Sequence, residues 1–228
     1  MEHFFPVLLE EFVTPVFLGN VYRKFHFKEE QAQEIRIVAA EMLPILRKEA
    51  FWARAAYFPE NQSLSKDADS AYECAAMSLG QGVDLLQESY SEKGLLLQSY
   101  MIEVLAGELL MRGYDAYNRY ISEHTDRHVA RYHFPGSEEN FPLDMIPRLL
   151  RELTPKITCN AAFCMQPKKS VVFIAELTRD KSVHCQGICV GCMNAACPNR
   201  IEENSLIRKR VADMPLTYGY RRIFGINI

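Results

Sequence analysis

Between Glu92 and Glu123 apolar residues fall at Leu95, Leu96, Leu97, Tyr100, Met101, Val104, Leu105, Leu109 and Leu110, followed by Tyr114, Tyr117 and Tyr120. Steps of three and four place such residues in one stripe along a helix. At about 1.5 Å per residue, a helix of this length crosses a whole small domain, so the remaining elements must be built against its stripe. The aromatic and methionine side chains read as core rather than as a cofactor box. Gly107 and Gly113 mark close packing or a break.

The chain is long enough for such a core. Its 228 residues are 48% hydrophobic and 24% charged, the proportions of an ordered globular protein. One large domain, or two small units sharing a core, fits that length; we read residues 1–228 as a single domain. A net charge of −3 argues against sequence-blind nucleic-acid binding, which requires a surplus of Lys and Arg. The basic runs Lys168–Lys169, Arg208–Lys209–Arg210 and Arg221–Arg222 read as solvated faces or contacts to one small anion. No basic targeting segment opens the sequence, and Glu10 and Glu11 interrupt the first apolar stretch. The later run Val171–Ala175 is far too short for a bilayer. The expectation is a cytoplasmic protein with neither membrane nor nucleic acid as partner.

Along the chain, Val13–Gly19 reads as a short strand or loop leading into Val21–Phe27. Ile35, Val38, Ala39, Met42 and Leu46 predict a helix over Glu29–Leu43, with Pro44 as the point where it ends or kinks before Glu49. Phe51–Phe58 and Tyr72–Leu79 read as strands, with a polar loop over Asn61–Ser70. Gly80-Gln81-Gly82 is a turn rather than a phosphate loop, because a lone Gly-x-Gly is a weak signal. After the long helix come a loop over Arg131–Pro142, a helix over Pro142–Leu153, and strands over Ile157–Phe163 and Ser170–Leu177. A short helix near Asn204–Val211 and a segment over Tyr218–Ile228 finish the chain. Helices and strands alternate without a βαβ rhythm. The class is therefore α+β, with a mixed or antiparallel sheet flanked by helices.

Four of the seven cysteines crowd into Cys185-x3-Cys189-x2-Cys192-x4-Cys197, with Pro198 behind the last. Gly187 and Gly191 let the backbone fold back so that the thiolates point at one centre. Three readings remain open: an iron–sulfur cluster, a structural zinc that takes four cysteines or trades one for His184, and free thiols with one redox-active pair. Spacing alone does not separate iron from zinc, since both accept tetrahedral sulfur ligation. A disulfide framework is disfavoured in a reducing compartment. Cys74 reads as a buried small hydrophobe. Cys159 and Cys164 lie on opposite faces if their segment is a strand, and so do not chelate together. His124, His128 and His133 read as surface histidines. Nucleophile-elbow, Walker and dinucleotide patterns do not occur, which removes most weight from hydrolase and nucleotide-triphosphatase readings.

The order of short motifs carries more information than any one of them. Ser78-Leu79-Gly80 precedes the long helix with its small residues Ala106 and Gly107. Then follow Arg131-Tyr132-His133-Phe134-Pro135-Gly136, Phe141-Pro142-Leu143, Met165-Gln166-Pro167-Lys168-Lys169-Ser170-Val171, and Cys197-Pro198-Asn199-Arg200. From about residue 13 to 200 this succession resembles stand-alone relatives of the activation domain of cobalamin-dependent methionine synthase. The resemblance implies an α+β domain that binds S-adenosylmethionine beside a corrinoid and supports reductive methylation of cob(II)alamin. It implies that Arg131 pairs with the ligand carboxylate, and that Pro135 and Gly136 shape the loop around it. Against the family pattern, Arg131 stands one residue farther from Pro-Gly, and Ser137 replaces a tyrosine. The cysteine loop looks at home among short anaerobic relatives.

The expected function is an accessory role in corrinoid-dependent methyl transfer. The partner would be a corrinoid-binding protein, or a methionine synthase lacking its own activation domain. An iron–sulfur cluster on Cys185, Cys189, Cys192 and Cys197 would deliver one electron to cobalt. The alternative is a non-catalytic binding module whose C-terminal loop is tied down by zinc.

Overall fold

In the computed structural model the described residues are 2–59, 70–183, 185 and 188. Strand β1 (Glu2–His3) leads into helices α1 (Pro6–Glu11) and α2 (Pro15–Lys24), and a 3-10 turn at Glu29–Gln31 opens α3 (Ala32–Glu49). Strands β2 (Phe51–Tyr57) and β3 (Ala71–Ser78) are followed by α4 (Gln81–Glu92), α5 (Leu96–His124) and β4 (His128–His133). A 3-10 turn at Leu143–Met145 enters α6 (Ile146–Leu153), and β5 (Thr158–Cys159), β6 (Met165–Gln166) and β7 (Ser170–Thr178) complete the described part. The architecture is α+β. Five strands pair antiparallel throughout, in the order β1-β2-β3-β7-β4, while β5 and β6 form a separate small hairpin.

The sheet has helices on both faces, and the strand period of two decides which residue meets which layer. Trp52, Ala75, Met77, Phe173, Ala175 and Leu177 point into a core with α1 to α5, whereas Tyr72, Cys74, Ala76, Val172 and Ile174 point at α6. Trp52, only 1% exposed, stacks on Phe5 at 5.1 Å and meets the Tyr120 ring edge-on at 4.8 Å. On the other face Ile146, Leu149 and Leu150 of α6 are buried against the sheet. Each such side chain contributes roughly 1.5–3 kcal/mol of apolar burial.

Local chemistry explains where the elements depart from expectation. Val13–Gly19 is not a strand: Thr14 caps α2 by accepting from the Phe17 N–H at 3.3 Å, and Pro15 occupies the first helical position. Pro44 neither ends α3 nor stops its core face, and the helix runs to Glu49. The long helix is one unbroken element as expected, but it starts at Leu96 rather than near Glu92. Gly94 (φ +73°) ends α4, with Gly94 N–H donating to the Ser91 carbonyl and Leu95 N–H to that of Tyr90, a Schellman stop. Leu96, 69% exposed, therefore falls outside the core. At Gly113 the packing is as tight as expected, since a Cβ there would come within 2.8 Å of Met77 Sδ.

Two further corrections bear on the site. Arg131–His133 belong to strand β4 rather than to a loop. Ile157–Phe163 is mostly a turn, in which the Asn160 side chain accepts from the Ala162 and Cys164 N–H groups. The loop expected over Asn61–Ser70, apart from Ser70 itself, lies outside the described residues, as do the segments at Asn204–Val211 and Tyr218–Ile228. Among the described helices none is long and apolar enough to cross a membrane.

Candidate functional site

β4 lies at the edge of the five-stranded sheet and contains a bulge between Val129 and Arg131. A bulge shifts the side-chain alternation by one residue. Val129 and Tyr132 accordingly both face α5, while Arg131 and His133 face the α6 side, opposite Glu176 and Ile174 of β7. Beyond β4 the chain turns through Phe134–Phe141 and places Glu138 back over the strand. The turn is held by Ser137 N–H to Phe134 O at 2.9 Å, Gly136 N–H to Phe141 O at 2.7 Å, and Phe141 N–H to Glu138 O at 3.1 Å.

The result is a polar cluster at one end of an otherwise apolar face. Arg131 Nη2 stands 3.3 Å from Glu138 Oε2, and His133 Nδ1 stands 3.0 Å from Glu138 Oε1. Glu176 Oε2 is 3.5 Å from His133 Nε2, and Ser70 donates to Glu176 Oε1 at 3.4 Å. The Phe141 ring, fully buried, lies 4.5 Å from the imidazole. Burial works against charge on His133, but its bond to Glu138 and the neighbouring Glu176 outweigh this and raise its pKa. Burial likewise opposes charge on Glu138, yet His133 and Arg131 bring its carboxyl below the ordinary value. Desolvation, with help from Glu176, pushes the Tyr72 phenol up to about 12. The cluster thus gathers a guanidinium, an imidazole and two carboxyl groups within hydrogen-bond or ion-pair reach. Arg131 Nε is buried without a hydrogen-bond partner among the described residues, and the buried His133 Nε2 meets Glu176 only at the long 3.5 Å.

Of the residues expected to hold a ligand, Arg131 reaches this cluster and is 38% exposed at its side chain. Pro135 and Gly136 form the turn above it. Gly136 adopts φ +87°, where a Cβ would also approach Leu143 Cδ1 to 3.0 Å, so the left-handed bend needs glycine. Sequence reasoning missed His133, Glu138, Glu176 and Tyr72. His133 was expected at the surface and is 5% exposed. The one usable signal was its spacing of two from Arg131, which puts both on one side of any strand. His124 closes α5 and His128 opens β4, so these two do not share a helix face.

Among the proposed metal ligands only Cys185 is described; Cys189, Cys192 and Cys197 lie outside the described residues. Cys185 is half-buried and lines a cleft of about 270 Å³ with Asn118, His128, Lys181 and Val183. Asn118 Nδ2 points at its sulfur from 4.0 Å, while Asn118 Oδ1 accepts from the Tyr132 hydroxyl at 2.7 Å. Tyr132 shares β4 with Arg131 but faces the opposite side. No group of three or more His, Cys, Asp or Glu poised for a metal occurs among the described residues. Cys74 is buried as expected, and desolvation raises its thiol to about 11. Cys159 and Cys164 flank the turn between β5 and β6 rather than sitting in one strand.

Gly80-Gln81-Gly82 is a turn, and the N-terminus of α4 behind it is occupied: Gly82 N–H donates to Glu49 Oε2 at 2.7 Å. A larger cleft of about 580 Å³ separates α1 from α5. Its Arg112 already pairs with Glu11 at 3.5 Å and Glu108 at 3.9 Å, so it offers a weaker set of converging groups. No protein-family model matches the chain, and no curated protein matches it.

Proposed function

We propose that this protein is an accessory factor of corrinoid-dependent methyl transfer, with a methionine synthase activation-domain-like fold. It assists reductive activation or remethylation of cobalamin on a partner, either a corrinoid-binding protein or a methionine synthase without its own activation domain. S-adenosylmethionine is the proposed small ligand, and Arg131 holds its carboxylate, because the planar guanidinium suits a two-oxygen acceptor. Pro135 and Gly136 bring the turn backbone over that ligand. The supporting observation is the position of Arg131: a half-exposed guanidinium at a sheet edge, beside a glycine-dependent turn.

Cys185, Cys189, Cys192 and Cys197 are the proposed iron–sulfur ligands. The surroundings of Cys185 suit such a role: its thiol borders a cleft, receives an amide N–H from Asn118, and has His128 and Lys181 rather than carboxylates around it. An iron–sulfur cluster supplies one electron for cob(II)alamin, chemistry that redox-inert zinc lacks. Purification without oxygen, followed by iron, sulfide and visible-absorption measurements, tests this reading. We expect iron and sulfide together with a broad visible absorption, and a large loss of both in Cys185→Ser. One equivalent of zinc without iron would instead leave a structural tie in the C-terminal loop and end the electron-transfer role.

A further inference from the structure

The Phe134–Phe141 turn places a carboxylate of the chain itself where a ligand carboxylate would bind. Glu138 contacts Arg131 with one oxygen and His133 with the other, 3.3 and 3.0 Å away. It bridges two cations in the manner of a bound carboxylate. Its neighbours Glu139 and Asn140 are exposed, while Phe141 is buried beside His133 and anchors the end of the turn. The Glu138 side chain can therefore rotate outward while Phe141 stays seated. Arg131 is reachable from solvent at 38% side-chain exposure, whereas Glu138 is 23% exposed and lies over it. A ligand carboxylate arriving from solvent would meet the exposed end of Arg131 first and compete with Glu138 for it. Glu176 remains on the far side of the imidazole, 3.5 Å from Nε2.

From this we infer that Glu138 is a displaceable internal competitor: it occupies the Arg131–His133 cradle until a small carboxylate-bearing ligand drives it out. The inference rests on the ligand reading proposed above and adds to it a means of setting affinity. The apparent dissociation constant rises by the reciprocal of the fraction of molecules with Glu138 displaced. If that fraction is about one in ten, affinity is weakened about tenfold.

The test is calorimetric titration of the full chain with S-adenosylmethionine, using wild type, Glu138→Gln, Glu138→Ala and Arg131→Ala. Thermal unfolding of each variant confirms that the fold survives. We expect both Glu138 variants to bind about tenfold tighter than wild type, and the gain to vanish when either is combined with Arg131→Ala. Heat from the variants alone supports the inference as well, with wild type too weak to register. Equal or weaker binding by both Glu138 variants overturns the competitor role while leaving the ligand reading intact. Heat from none of the proteins overturns both.

Discussion

His133 and Glu138 keep their charges across a definite pH interval, and stability should follow it. The folded-state pKa of His133 lies above its ordinary 6.5, so the protonated ring contributes fully below about that value. The contribution is lost as pH rises through the elevated folded value. Glu138 behaves oppositely: its stabilisation is present above the ordinary 4.5 and disappears as pH falls through its depressed folded value. Urea unfolding midpoints across this range should show both slopes in wild type and a flatter profile in Glu138→Gln. An unchanged profile would remove the pair from the account. On the opposite face, Glu73 is 9% exposed, accepts from the Tyr117 hydroxyl at 2.7 Å, and pairs with Arg54 at 2.7 Å. Tyr117→Phe should cost about 1–3 kcal/mol, because it deprives a buried carboxylate of a donor; denaturant titration measures it. Arg131 was legible as a candidate from its motif. His133 was not, because the segment from Arg131 onward read as a loop, so its spacing of two from Arg131 carried no direction.

Elements with strong local codes were legible, and those with weak ones were not. β2, β3 and β7 are apolar runs and appear where expected. α4 was missed because it buries only Val83 and Asp84, too few for a readable stripe. α2 was misread because the apolar content of Val13–Gly19 outweighed the Thr14-Pro15 start signal. Pro44 shows how packing overrides propensity. It is exposed within α3, while Met42 and Leu46 on either side are fully buried and hold the helix together. Pro44→Ala should therefore stabilise the protein, by about 1–3 kcal/mol, as the lost N–H bond and the ring clash are removed. A lower melting temperature would contradict this. Gly80→Ala should do the reverse. Its φ of +89° is strained for alanine, and the new Cβ would collide with Glu49 Cβ. A loss of about 2 kcal/mol or more is expected from strain and displacement of the Glu49 cap, read as a fall in the urea midpoint.

At the level of the molecule, the α+β class followed from the irregular alternation of elements. The strand order did not, because β3 pairs with β7 across intervening helices and no turn signal encodes such distant partners. The arrangement leaves the α6 face with little redundancy. Leu149, 1% exposed, has a central place in that layer, and Leu149→Ala should cost about 2–5 kcal/mol. Loss of α6 packing would also loosen the support beneath Phe141, so the same variant should blur the His133 NMR signal. Unchanged stability and an unchanged signal would separate α6 from the site. The chain's single tryptophan, Trp52, sits on the other side of the sheet, against Phe5 of the N-terminal segment and Tyr120 of α5. Nature has thus installed one fluorophore where three distant parts of the chain meet. Its emission should shift to the red when the N-terminal segment peels away, yet stay blind to events around Arg131, giving an optical gauge that tells partial undocking from ligand exchange without any added label.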